Sequence, residues 1–169
     1  LCFFFLGSAS PRMTGEEIER YIQKKLKRKD NLLRINDKNL GDEGVAHLAE
    51  SSLLSTVATL ILYKGNFGDE GVRALADSKN LGKLTALFLE NNNITDQGVS
   101  YISNSDVFSG LKILNLYHNL ISDKGAILIA KSDKLSHLEE LNLNYNQILG
   151  PGAIELTHSA KLNNLKKIQ

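Results

Sequence analysis

The chain has 169 residues, of which 42% are hydrophobic and 23% charged, and a net charge of +1 at pH 7. That balance fits a single domain and names no partner class by bulk electrostatics. One cysteine, Cys2, excludes an internal disulfide and a cysteine-rich zinc site, and no apolar run approaches the roughly 20 residues that span a bilayer.

Residues Leu1 to Gly7 are apolar but lack a basic flank and an initiating Met. Residues 1–12 therefore read either as a clipped secretory leader or as an adventitious, upstream-translated tail before a start at Met13. A cytoplasmic setting is the expectation, with export as a secreted effector as the alternative. From Met13 the grammar is helical. Thr14-Gly15-Glu16-Glu17 is a capping box, in which hydroxyl and carboxylate satisfy exposed backbone N–H groups. Ile18, Ile22 and Leu26, with Tyr21 beside them, share one face. The spacing predicts a capping helix over residues 13–29. Lys24, Lys25, Lys27, Arg28 and Lys29 crowd its last turn, where cations offset the negative end of the helix dipole. A rival reading makes this cluster a contact for nucleic acid or acidic lipid.

Beyond it, Leu84, Leu111 and Leu138 open copies of one pattern at intervals of 27 residues. Each copy reads Leu-x-x-Leu-x-Leu-x-x-Asn-x-Ile, then a polar turn and Gly. Leu84, Leu87, Leu89, Asn92, Ile94 and Gly98 recur as Leu111, Leu114, Leu116, Asn119, Ile121 and Gly125. They recur again as Leu138, Leu141, Leu143, Asn146, Ile148 and Gly152. Weaker copies open at Asp30 and Val57, and a sixth begins at Leu165. No single copy can bury its apolar face, so stacked copies must share one core.

Within each copy, Leu-x-Leu has period 2 and reads as a short strand whose leucines point inward. Asp42, Asp69, Asp96 and Asp123 then stand where a helix N-cap is expected, and Gly150-Pro151 takes that place in the last copy. The following helix carries apolar pairs at Val45/Leu48, Val72/Leu75, Val99/Ile102, Ala126/Ile129 and Ala153/Leu156. Ser51, Ser78, Ser105, Ser132 and Ser159 mark the helix exits. They have no periodic base beside them and are not nucleophiles. Gly44, Gly71, Gly98, Gly125 and Gly152 are read as close-packing positions at the turn-to-helix corner.

The motifs LKILNLYHNLISDKG and LEELNLNYNQILGPG resemble the leucine-rich repeat family, in its ribonuclease-inhibitor-like class, over roughly residues 30–169. The resemblance implies an α/β fold. It is a right-handed horseshoe solenoid with a parallel sheet on the concave face and helices on the convex face. It also implies a non-enzymatic protein-binding role and a buried ladder of the motif asparagines. Lys38 and Gly65 replace that Asn in the first two copies. Either Asn39 and Asn66 substitute, or the ladder begins at the third.

Outward-facing residues of the strands escape the repeat rule and are the candidate partner-binding set: Arg34, Ile61, Tyr63, Lys64, Phe88, Glu90, Asn115, Tyr117, His118 and Tyr145. Adjacent strands lie about 4.8 Å apart, so Ile61, Tyr63, Phe88 and Tyr117 are expected to form one patch with a polar rim, and Tyr63, Phe88 and Tyr117 to be its anchors. The alternative is that Ile61 and Phe88 are ordinary strand formers stabilised by cross-strand packing. The expected partner is a protein or peptide. Neither a cofactor nor a metal is expected: His47, His118, His137 and His158 are scattered, and one Asp per copy supplies too few calcium ligands. Regulation of an enzyme such as a small GTPase is a further reading of the same face. Leu165 to Gln169 begins a strand with no helix after it. That predicts either a fragment of a longer repeat protein or an end that self-associates.

Overall fold

A period of 27 residues in sequence becomes a sheet in which every strand meets its own repeat. The computed structural model describes residues 12–26 and 31–169. The leader or tail up to residue 11, with Cys2, lies outside the described residues, as do Lys27, Arg28, Lys29 and Asp30. Six strands, β1 (Leu32–Arg34), β2 (Thr59–Ile61), β3 (Ala86–Phe88), β4 (Ile113–Asn115), β5 (Glu140–Asn142) and β6 (Lys167–Ile168), form one parallel sheet in chain order. Leu33, Leu60, Leu87, Leu114, Leu141 and Ile168 are register partners in succession.

Between strands the chain returns through helices α2 (Gly41–Glu50), α3 (Asp69–Ala76), α4 (Asp96–Asn104), α5 (Asp123–Lys131) and α6 (Gly150–Thr157), which pack side by side. Helices of this length are marginal alone and owe their order to the face they bury. Val45, Leu48, Val72, Leu75, Val99, Ile102, Ala126 and Ile129 are all fully buried. Ala153 departs from the expected pair pattern: it is exposed, because among the described residues no further helix packs beside α6.

Helix α1 (Gly15–Leu26) closes the first end of the core. Its capping box forms as the sequence predicts. Thr14 N donates to Glu17 Oε2 at 2.8 Å and Glu17 N donates to Thr14 Oγ1 at 3.3 Å, which holds the Glu17 carboxyl below its ordinary pKa. Ile18 and Ile22 are buried against α2 and β1, and Lys25 lies over the Tyr21 ring at 5.2 Å.

Three polar ladders hold consecutive repeats together. Asn92, Asn119 and Asn146 each donate to a carbonyl of the preceding repeat and to one of their own. Asn119 Nδ2 reaches Leu89 O at 3.0 Å and Leu116 O at 3.1 Å, and its Oδ1 accepts from Ile94 N at 3.1 Å. The ladder begins at the third repeat: Gly65 donates its backbone N to Asn92 Oδ1 at 2.9 Å. Asn39 and Asn66 do not substitute, and pair outside the core, Asn66 Nδ2 to Asn39 Oδ1 at 3.0 Å. The serines form a second ladder. Ser78, Ser105, Ser132 and Ser159 donate back to Ala49, Ala76, Ser103 and Ala130 carbonyls at 2.5–2.6 Å. Ser51, which has only α1 before it, keeps a buried hydroxyl with no partner among the described residues.

The aspartates correct the sequence reading. They do not cap their own helices; the N-cap positions are Leu40, Gly68, Thr95, Ser122 and Leu149. Each carboxylate instead caps the helix of the next repeat. Asp69 Oδ1 accepts from Thr95 N and Gly98 N at 2.8 Å, and Asp42, Asp96 and Asp123 repeat the arrangement one copy away. A Cβ on Gly98 would lie 2.5 Å from Asp69 Oδ1 and 2.7 Å from Ile94 Cγ2. The corner glycine is therefore the space into which the neighbouring carboxylate reaches. Gly150, in the Asp register, offers no such group.

Candidate partner-binding face

Period 2 along each strand puts the residue between the two core leucines on the open face of the sheet, and the parallel register stacks these into columns. Arg34, Ile61, Phe88, Asn115 and Asn142 are consecutive register partners. Two residues on, backbone bonds from Asp37 N to Tyr63 O, Lys64 N to Glu90 O, Asn91 N to Tyr117 O and His118 N to Asn144 O, all at 2.9–3.0 Å, continue the alignment. The second column is thus Asn36, Tyr63, Glu90, Tyr117 and Asn144. The third is Asp37, Lys64, Asn91, His118 and Tyr145, and every member has a positive φ of 52–59°. That left-handed turn ends the strand in each copy. It is least unfavourable for Asn, Asp and His, yet the second and last copies place Lys64 and Tyr145 there.

All ten predicted residues lie on this face. Arg34, Lys64, His118 and Tyr145 are exposed, and Ile61, Tyr63, Phe88, Glu90, Asn115 and Tyr117 are half-buried. They do not form one uniform patch. Ile61 and Phe88 are register neighbours, whereas Glu90 stands between Tyr63 and Tyr117. The rings that meet are in the last two copies: Tyr117 to Tyr145 at 4.9 Å, Tyr117 to His118 at 6.1 Å and His118 to Tyr145 at 6.4 Å between centroids. Tyr145 is 71% exposed. The 27-residue spacing of His118 and Tyr145 was the signal for this cluster, since equal register means adjacent strands.

Electrostatics on the face are local. Lys64 Nζ lies 3.9 Å from Asp37 Oδ1, an exposed pair of small energetic weight. Asn115 is fixed on both sides: its Oδ1 accepts from Tyr117 N at 3.0 Å and its Nδ2 donates to Glu90 Oε1 at 2.7 Å. Burial pushes the Glu90 carboxyl above its ordinary pKa, against lowering contributions from its own backbone and from Arg34. Of the basic cluster on the cap, only Lys24 and Lys25 fall within the described residues. No group of three or more His, Cys, Asp or Glu arranged to hold a metal occurs among the described residues.

The model of the family described as "Leucine Rich repeat" matches residues 83–103, 111–130 and 134–156. No curated protein matches the chain. Among solved structures, the chain is similar to the leiomodin-1 actin-binding site 2, at 18% identity and a TM-score of 0.60, over 92% of this chain and 90% of that one. An internalin, inlF, from Listeria monocytogenes aligns at 17% identity and a TM-score of 0.29, over 74% of this chain and 50% of that one. At such identities the leiomodin likeness speaks for the fold alone. Period, sheet register and the three matched copies together make the chain an α/β solenoid of leucine-rich repeats.

Proposed function

We propose that the chain is a protein-interaction module, of the ribonuclease-inhibitor-like kind, that binds a protein or peptide through the open face of its sheet. The observation that carries this reading is the contrast between columns. Core columns stay apolar or small copy after copy and the turn columns repeat Asn, Asp and Gly with the departures at Lys38, Gly65 and Gly150, while the sheet face carries Ile61, Phe88, Tyr63 and the Tyr117, His118 and Tyr145 rings, which the repeat geometry does not require. Aromatic anchors ringed by polar groups are the usual centre of a protein interface. Tyr63, Phe88 and Tyr117 are its anchors in this reading, with Arg34, Lys64 and Asn115 as rim.

The test is capture from lysate by the immobilised chain beside a Tyr63→Ala, Phe88→Ala, Tyr117→Ala variant whose fold is verified by circular dichroism. A partner held by the first and lost by the second supports the reading. Equal retention by both rejects the sheet face as the site. Purified actin is the first defined probe, because the leiomodin-1 domain that shares the fold is named for binding it. Failure to bind actin removes that partner and leaves the capture experiment to decide the face.

A further inference from the structure

Glu90 is the one acidic member of its column, with a tyrosine on either side. The bonds from Lys64 N to Glu90 O and from Asn91 N to Tyr117 O, both 3.0 Å, place Tyr63 and Tyr117 on the neighbouring chain segments, each about 4.8 Å away. Phe88, the last residue of β3 and two residues before Glu90, faces the same side. Asn115, itself anchored on Tyr117 N, holds Glu90 Oε1 at 2.7 Å. The other oxygen, Oε2, is buried and accepts no hydrogen bond among the described residues.

A half-buried carboxylate oriented by an amide, with one buried oxygen left unsatisfied, is costly in the free protein. Nothing in the repeat demands it, since the same column holds Asn36, Tyr63, Tyr117 and Asn144. We infer that Glu90, between Tyr63 and Tyr117, is a recognition site for a cationic side chain, lysine or arginine, carried by an extended partner segment. The inference rests on the sheet face being the binding face. Reaching Oε2 requires the side chains that cover it to shift as the partner seats; an ammonium or guanidinium then donates to it and supplies the missing hydrogen bond. Its charge also lies against aromatic faces, where cation–π attraction adds to the ion pair. The upward shift of the carboxyl's pKa by burial, which outweighs the lowering by its own backbone and by Arg34, agrees with a charge that is under-compensated until the partner arrives.

The experiment displays a library of eight-residue peptides to the full chain, to Glu90→Gln and to the Tyr63, Phe88, Tyr117 triple variant. Gln keeps the side-chain shape and a partner for Asn115, and circular dichroism checks each fold. The expected result is a set of binders sharing one Lys or Arg position. Changing that residue to Gln weakens binding about tenfold or more to the full chain and at most about twofold to Glu90→Gln. Peptides that need Tyr63, Phe88 and Tyr117 but show no cation preference overturn the Glu90 assignment and leave the sheet as the binding face. Absence of any peptide that depends on those three residues overturns both.

Discussion

The turn edge and the sheet face are drawn from the same five repeats and follow opposite rules. On the turn edge, each residue type serves its neighbour. Asp69 caps the helix that begins near Thr95, Gly98 leaves room for that carboxylate, and Asn119 ties Leu89 to Leu116. A change in one copy is felt in the next, so identity recurs wherever both neighbours are present: Asn92, Asn119 and Asn146, and Asp42, Asp69, Asp96 and Asp123. On the sheet face, Arg34, Ile61, Phe88, Asn115 and Asn142 occupy one column with exposed or half-buried side chains of four residue types. The fold constrains where these residues point and leaves their identity free. Constancy therefore marks what the solenoid needs, and departure from it marks what a partner can read.

The largest effect that sharpens this contrast is expected at the ladder. Asn119→Ala leaves the Ile94 N–H without its partner and removes one of the two donors to each of Leu89 O and Leu116 O, which keep Asn92 Nδ2 and Asn146 Nδ2. It should destabilise the chain by about 3 kcal/mol, at about 1–3 kcal/mol for the orphaned N–H and about 0.5–1.5 kcal/mol for each further bond lost. Urea denaturation measures it. A loss under about 1 kcal/mol would mean that water replaces the amide and that the ladder is not what joins the repeats.

Next come Gly98→Ala and Asp69→Ala, each expected to cost about 2 kcal/mol, the first by overpacking and the second by uncapping α4. Because both act on the same 2.5 Å approach, the double variant should cost clearly less than the sum. Strict additivity would show that Gly98 is required for another reason. In the sheet columns the expectation reverses. Tyr145→Asn puts a residue tolerant of the left-handed region at φ 59° in place of a ring that is 71% exposed. Stability should change by less than about 1 kcal/mol, while any ligand of the Tyr117, His118 and Tyr145 cluster is weakened. A large destabilisation would place Tyr145 among the structural residues.

How much of this was legible in the sequence follows from the range of each interaction. The leucine, asparagine and glycine columns were readable because a 27-residue period fixes adjacency without further knowledge. The capping box was readable because its partners, Thr14 and Glu17, are three residues apart. The aspartates were assigned to the wrong helix because capping rules are local, whereas each carboxylate acts on amides 26 and 29 residues ahead. The pairing of Asp in one copy with Gly in the next was the available clue. On the sheet face, the period gives the column but not the depth. That Glu90 is half-buried and held by Asn115 depends on how the flanking side chains lie. The exposed Ala153 belongs to the same class, since its burial requires a neighbour that the pattern alone assumes.

The smallest expected effect concerns Glu90 and separates the two rules most directly. Burial raises its pKa in the folded chain above the value of an unfolded glutamate, about 4.3. Between those two values the folded state holds the proton more tightly than the unfolded one. Its favourable contribution is therefore fully present below the unfolded pKa and is lost as pH rises through the folded pKa. Glu90→Gln removes this titration. The variant should match the parent in acid and gain on it towards neutral pH, by less than about 1 kcal/mol, because the half-exposed carboxylate remains partly solvated. Glu17 and Glu139, whose pKa values are lowered by hydrogen bonds from Thr14 and from Lys166 and Lys112 respectively, titrate in both proteins and cancel in the difference. A pH-independent difference would mean that Glu90 does not sense burial. A loss of stability at neutral pH would mean that its charge is already balanced, with Arg34 the cation that acts on it. A gain in stability together with a loss of cation-bearing ligands would show a residue retained against the interest of the fold, which no turn-edge column should show.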